Sequence, residues 1–328
     1  MQYRTLGKTN FNVSAISLGT WQVGGKWGSD FDDQNADKIL NLAIDHGVNF
    51  IDTADVYSGG LSEAAVGRVV RSRSERVYVA TKCGRQLNPH NSAGYQPQVL
   101  RQYVEDSLRR MKLDTLDLIQ LHCPPDEVYY RPEIFELFDR LREEGKIQHL
   151  GVSVEKVEQG LKAIEFPNVT TIQLIFNIFR QRPQELFFRE AQRKNVGIIV
   201  RVPLASGLLT GKYHTQTSFG EGDHRHFNRN GEAFDKGETF SGIDYELGLR
   251  AVEQIKHLFP PQTNLAQVAL QWILTFSEVS CIIPGASNPD QLLTNLAADS
   301  TNLLTPELVA QLNAVYTEMI KLAVHQLW

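Results

Sequence analysis

Along most of the chain, short runs crowded with aliphatic and β-branched residues alternate with longer stretches whose apolar positions recur at helical spacing. The short runs fall at Ile16–Thr20, Asn49–Asp52, Val77–Thr81, Leu116–Leu121, Gln148–Val152, Thr170–Leu174, Gly197–Arg201 and Ser280–Pro284, and read as eight strands. Between the first seven lie amphipathic stretches at Asp33–His46, Ser62–Arg71, Gln98–Met111, Pro132–Glu144, Val154–Ile164 and Pro183–Lys194, which read as helices. Strand–helix alternation implies parallel strands joined by crossover helices, because a parallel neighbour cannot be reached by a tight turn. Eight such units close into an α/β structure, the (β/α)8 or TIM barrel.

The punctuation agrees. Gly47 and Gly145 stop helices, each before a short loop and a new apolar run. Thr305 followed by Pro306 reads as an N-cap and first turn, opening a C-terminal helix to about Leu322. Two segments depart from the repeat. Met1–Ser14 reads as an N-terminal hairpin ahead of the first barrel strand. The stretch from Gly207 to about Phe259 reads as a long loop between strands seven and eight. Its middle, FGEGDHRHFNRNGEAFDKGETFSG, has neither period, as expected of a functional or disordered loop. With no linker or tandem repeat, one barrel domain is expected over residues 1–328.

Composition narrows the classes. A 328-residue chain that is 42% hydrophobic has ample core. No apolar run reaches the length of a membrane span, and the first residues lack a signal-like apolar stretch, so a cytoplasmic protein is expected with no membrane partner. Cys83, Cys123 and Cys281 are odd in number and far apart, which argues against disulfides and a zinc site. A net charge of −5 without a basic stripe argues against nucleic acid.

Active sites of such barrels sit where strands end. The second strand ends NFIDTADVY, with Asp52, Asp55 and Tyr57; the third ends VYVATKC, with Lys82; the fourth ends LDLIQLHCPP, with His122. Three neighbouring strands thus aim these groups at one rim. A phenol titrates near pH 10, and an adjacent ammonium stabilises its phenolate and lowers that value. Asp52 would hold Lys82 in place, and His122 would hydrogen-bond a substrate oxygen or help move a proton. Tyr57 is then a general acid for an oxygen gaining negative charge, as hydride addition to a carbonyl requires. Each residue alone also has a bland role, in an ion pair, in packing or in capping a turn, and spacing by itself leaves the reaction open.

The segments NFIDTADVYSGGLSEAAVGRVV, VYVATKCG, LDLIQLHCPP and GKIQHLGVS resemble the aldo-keto reductase superfamily, and the resemblance continues to IIPGASNPDQLLTNL. It implies a catalytic tetrad of Asp52, Tyr57, Lys82 and His122, with a nicotinamide cofactor extended across the rim and no Rossmann domain. It implies cofactor contacts from LGTW, with Gly19, Thr20 and Trp21; from Ser153 and Gln173 at the nicotinamide; and from PLASGLLTGKY, with Pro203, Leu204, Ser206, Gly207 and Lys212. Three positions depart from the family's pattern. Val154 replaces a common Asn, leaving a carboxamide contact that Asn177 would replace. Arg201 stands where an aromatic platform is frequent; it either stacks or binds phosphate, or instead pairs with the acidic long loop. Gly285 and Gln291 stand where one branch places the Lys and Arg that grip a 2′-phosphate, and Ser287 where other branches place a basic residue. Gln291 and Asn295 are expected beside the adenosine. The family makes NADPH the first expectation, with NADH the alternative.

Trp21, Trp27, Tyr57 and Phe179 form the expected apolar substrate pocket, although packing explains Trp27 and Phe179 as well. The pair His224 and His226 has no third ligand in view and reads as solvated loop, so no metal is expected. Three functions compete: reduction of a small-molecule carbonyl, or its reverse on an alcohol or sugar; a cofactor-sensing regulatory subunit, as in potassium-channel accessory proteins of this fold; and Schiff-base chemistry on Lys82. Pairing with Asp52 keeps Lys82 protonated and disfavours the last.

Overall fold

The structure, a computed structural model, describes residues 1–328. A hairpin of β1 (Tyr3–Thr5) and β2 (Asn12–Ser14) comes first. Eight parallel strands follow: β3 (Leu18–Gly19), β4 (Phe50–Asp52), β5 (Tyr78–Cys83), β6 (Leu116–His122), β7 (Ile147–Ser153), β8 (Val169–Ile175), β9 (Gly197–Arg201) and β10 (Val279–Ile282). They neighbour one another in chain order, and parallel bridges Ile16–Ile282 and Gly19–Gly285 join the first to the last, closing the barrel. Leu6, Phe11 and Val13 of the hairpin pack with Phe50, Ala80, Leu118, Ile199 and Cys281 as a separate small core. The hairpin therefore plugs one end of the barrel and leaves the C-terminal ends of the strands for a site.

The crossover helices are α1 (Asp33–Asp45), α2 (Leu61–Ser72), α3 (Pro97–Met111), α4 (Pro132–Glu143), α5 (Val157–Ala163) and α6 (Phe187–Arg193). The last two are shorter than their apolar patterns suggest. The Val154 amide donates to Gln173 O at 2.8 Å, keeping that residue extended, and Pro183 lies in a separate turn, Arg182–Gln184.

The long span before β10 is more ordered than its sequence suggests. It contains a short turn of helix, α7 (His224–Phe227), and two full helices, α8 (Tyr245–Lys256) and α9 (Leu265–Leu274). In α8, Asp244 caps Leu247 N, and Tyr245, Gly248, Ala251, Val252 and Ile255 are buried. In α9 the sequence LAQVALQWIL is buried nearly all round, so it lacks the polar face that makes a helix legible. Then come α10 (Pro289–Leu296), capped by Asn288, and α11 (Pro306–Val315), capped by Thr305. The single C-terminal helix expected to about Leu322 is α11, a π-helical turn at Tyr316–Ile320 and α12 (Lys321–Val324). No helix is long and apolar enough to cross a membrane.

Candidate active site

Strand register brings the polar groups together. Asp52 pairs with Ala80, Lys82 with Gln120, and His122 with Ser153. The Lys82 ammonium reaches back to donate to Asp52 Oδ1, to Thr53 O at 2.8 Å and to the Tyr57 hydroxyl at 3.2 Å. The second carboxylate oxygen, Asp52 Oδ2, accepts from Gln120 Nε2 at 2.9 Å and from Gln173 Nε2 at 2.7 Å. Both charges are almost fully buried, so this saturation matters: an unpaired ion here would cost several kcal/mol. Thr20 Oγ1 donates to Asp52 O at 3.0 Å and accepts from Ser62 Oγ at 2.8 Å, fixing the strand end from the far side. Tyr57 lies in the loop after β4 with its ring parallel to Trp21 at 6.0 Å, and the His122 ring stands perpendicular to it at 6.2 Å.

The electrostatics correct one expectation. Burial pushes the Tyr57 hydroxyl up and outweighs the pull of Lys82, so the phenol ionises above its ordinary value rather than below. Burial also works against the Lys82 charge, but Asp52 and Tyr57 win and hold the ammonium above its usual range. His122 is pushed well below the ordinary imidazole value, first by burial and then by Arg85, Lys82 and Arg201. It is a neutral imidazole at pH 7. Its Nδ1 is buried without a partner.

Asp52, Tyr57, His122 and Gln173 lie at one end of a cavity of about 930 Å³. Gly19, Thr20, Trp21 and Trp27 line it from the first loop. Pro203, Leu204, Ser206, Gly207 and Lys212 line it beyond β9, and Gly285, Ser287, Gln291 and Asn295 beyond β10. Not every expected group faces it. Ser153 is wholly buried against Cys123, with its hydroxyl 3.7 Å from that sulfur, and is not part of the wall. Phe179 is wholly buried in the main core, so packing is its role. Asn177 is not free to replace a carboxamide contact: its amide donates to Val202 O at 2.9 Å and Ser241 Oγ at 2.8 Å. Gln291 Oε1 is tied to Ser287, accepting from its amide at 2.9 Å and its hydroxyl at 3.0 Å. Asn295 Nδ2 donates to Gly285 O at 3.2 Å.

The long loop builds one wall. The chain after β3 and the long loop meet where a Cβ on Gly222 would lie 2.6 Å from Gly28 Cα, a contact only glycine permits. His224 is buried, not solvated, with its ring 4.1 Å from Trp27 and 5.0 Å from Trp21. Glu238 pairs with Arg85 at 3.1 Å and Arg201 at 3.6 Å, so Arg201 both lines the cavity and pairs with the acidic loop. The Cys123 thiol and the carboxylates of Glu155 and Glu238 also converge there, with the two guanidinium groups supplying their counter-charge. Gln120, Arg85, Phe234 and Glu238 were missed by the sequence reading, and His224 was placed in solvent. Gln120 alone carries a signal, standing two residues before His122 and so on the same strand face.

A closed barrel with a buried Asp–Lys pair, a tyrosine and a neutral histidine at its C-terminal rim defines the class, a (β/α)8 oxidoreductase. The chain belongs to the aldo/keto reductase family, whose model matches residues 15–317; it is thus an NAD(P)H-dependent oxidoreductase. It is 28% identical to the uncharacterized oxidoreductase YqkF of Bacillus subtilis (strain 168), over 96% of this chain and 96% of that one. It is 31% identical to an NADH-specific methylglyoxal reductase of Escherichia coli (strain K12), over 91% of this chain and 93% of that one. The glycerol dehydrogenase AKR11B4 from Gluconobacter oxydans superposes with a TM-score of 0.77 at 28% identity, over 97% of this chain and 96% of that structure.

Proposed function

We propose that this protein reduces small aldehydes or ketones to alcohols, with Tyr57 as the proton donor. The observation that carries the reading is the Tyr57 hydroxyl 3.2 Å from a Lys82 ammonium that Asp52 holds, all beside a cavity that His122 also lines. The cavity fits an extended dinucleotide: it runs from these groups past the glycine-rich loop at Ser206 and Gly207 to the start of α10, and lies in the upper part of the range for ligand sites. When bound, the nicotinamide supplies the hydride. Tyr57, a phenol pushed above its ordinary value by burial, holds the proton until the carbonyl oxygen gains charge. Lys82 stabilises the phenolate left behind, and Asp52 keeps Lys82 charged. Neutral His122 donates a hydrogen bond that orients the oxygen. The same relay run backwards oxidises an alcohol, the activity named for the Gluconobacter relative.

For the cofactor, the wall near α10 favours NADH over the NADPH first expected. Segment 285–295 contains no Lys or Arg, Asp290 lines the cavity there, and Gln291 is occupied by Ser287. A carboxylate with no cation in its own segment disfavours a 2′-phosphate there. The experiment is oxidation of NADH and NADPH by the purified protein with methylglyoxal and an aromatic aldehyde, beside Tyr57→Phe. Tyr57-dependent turnover with faster NADH use supports both parts. Equal turnover without the hydroxyl refutes the proton-donor assignment, and preference for NADPH refutes the cofactor assignment.

A further inference from the structure

Outside the tetrad, the wall of the cavity depends on one segment of the long loop, residues 235–242. On its inner side Glu238 holds Arg85 and Arg201. Its backbone is joined to the next wall loop through one hydroxyl: Ser206 Oγ donates to Glu238 O at 3.0 Å and accepts from Phe240 N at 3.1 Å. Glu238 therefore sets two guanidinium groups and the Ser206 loop at once.

Its outer side is gripped by Trp328, which does not line the main cavity. The indole is 6% exposed, and its Nε1 donates to Asp235 Oδ1 at 2.8 Å. That carboxylate oxygen also accepts from Gly237 N at 2.7 Å, capping the single turn Lys236–Glu238 that carries Glu238. The indole ring lies against two glycines: a Cβ on Gly242 would come within 2.3 Å of it, and one on Gly237 within 2.8 Å. Its face covers the Arg180 guanidinium at 4.1 Å, and Arg180 in turn donates to Ser241 O at 3.4 Å and Glu155 O at 3.1 Å. A residue that only filled a gap would need neither the hydrogen bond to the capping carboxylate nor two glycines cleared for it.

We propose that Trp328 is a positioning residue of the active site, acting through Asp235 to hold Glu238 against Arg85 and Arg201. The inference rests on the dinucleotide reading above for its binding readout. Trp328 touches no reacting group; its loss frees the turn, unpairs the two guanidinium groups and loosens the Ser206 loop. Asp52, Lys82 and His122, held by β4, β5 and β6, and Tyr57, hydrogen-bonded to Lys82, stay in place. The signature is weaker cofactor binding with turnover at saturation retained.

The test is titration of NADH against the wild type, Trp328→Ala, Glu238→Gln and the double variant. Each single change is expected to weaken NADH by about tenfold, and the double change by no more than either alone, since both break one linkage. Asp235→Asn, which keeps the accepting oxygen, is expected to bind like the wild type, and Asp235→Ala like Trp328→Ala. Should Trp328→Ala not fold, Trp328→Phe keeps a ring on Arg180, loses the N–H and carries the same test. Unchanged NADH affinity in the Trp328 variant, or multiplicative losses in the double variant, overturns the proposal. A wild type that binds neither NADH nor NADPH overturns the cofactor reading instead. Hydrogen exchange then decides the linkage: amides 236–242 exchange faster in Trp328→Ala if Trp328 holds the turn, and unchanged exchange overturns it.

Discussion

Asp55 sits between Asp52 and Tyr57 in the loop that carries Tyr57. It is 1% exposed, and neither carboxylate oxygen has a hydrogen-bond partner. Burial, reinforced by neighbouring Glu63, pushes its carboxyl up from 3.8 to about 7. The native state therefore keeps a proton that the unfolded chain releases near pH 4. Between those values the folded protein binds more protons than the unfolded one, so stability falls as pH rises, and the loss is complete above pH 7. Each unit is worth ~1.4 kcal/mol, so Asp55 lowers stability by ~4 kcal/mol at pH 8 and by ~2 kcal/mol at pH 5. Asp55→Asn removes the titration but keeps the shape. The cost of burying the new amide is the same at both pH values and cancels in their difference. Relative to wild type, the variant should gain ~3 kcal/mol between pH 5 and pH 8, the two units of titration from pH 5 to about 7 at ~1.4 kcal/mol each. The assay is urea unfolding of both proteins at the two pH values. Glu155, raised by burial to about 7, slopes the same way and leaves some pH dependence in the variant. A wild-type-to-variant difference that does not change with pH would refute the claim that Asp55 is protonated in the native state.

Three further outcomes test the site. Tyr57→Phe should keep NADH affinity and lose about 10²–10⁴-fold in turnover, the range for a positioned general acid, in single-turnover measurements. Because His122 is already neutral, kcat should show no His122-dependent inflection between pH 6 and pH 8; an inflection that disappears in His122→Asn refutes this. Gln291→Arg should raise the NADPH-to-NADH ratio of kcat/KM by about tenfold, by adding a cation where Ser287 now occupies Gln291. An unchanged ratio places the 2′ position elsewhere.

What was legible in the sequence is what period-2 and period-3.6 patterns carry. The strand ends gave Asp52, Lys82 and His122 because a strand's last inward residue necessarily faces the rim. Helix α9 escaped because burial on all sides erases its polar face, and α8 because it follows a loop with no period. That the Gln173 amide also completes Asp52 was not legible, since strand register decides that contact and no local pattern reports it. Glu238 was illegible in a stronger sense. Its partners, Arg85 and Arg201, lie 153 and 37 positions away, and charge in an aperiodic loop looks alike whether solvated or buried. Tyr57 was found, but the direction of its shift was not: the sequence shows the nearby ammonium and conceals the depth of burial, which is the larger effect.

The two sides of the rim answer to different constraints. The proposed proton relay is built on β4, β5 and β6, whose register fixes Asp52, Lys82, Gln120 and His122 to one another. Any drift there leaves a buried ion unpaired, so the relay has little freedom. The opposite wall is made of loops after β9 and β10 and of the long loop, joined by side chains distant in sequence. Those contacts can be exchanged without moving a strand. On the proposed function, cofactor preference and substrate range are set where the sequence is hardest to read, and the reaction type where it is easiest.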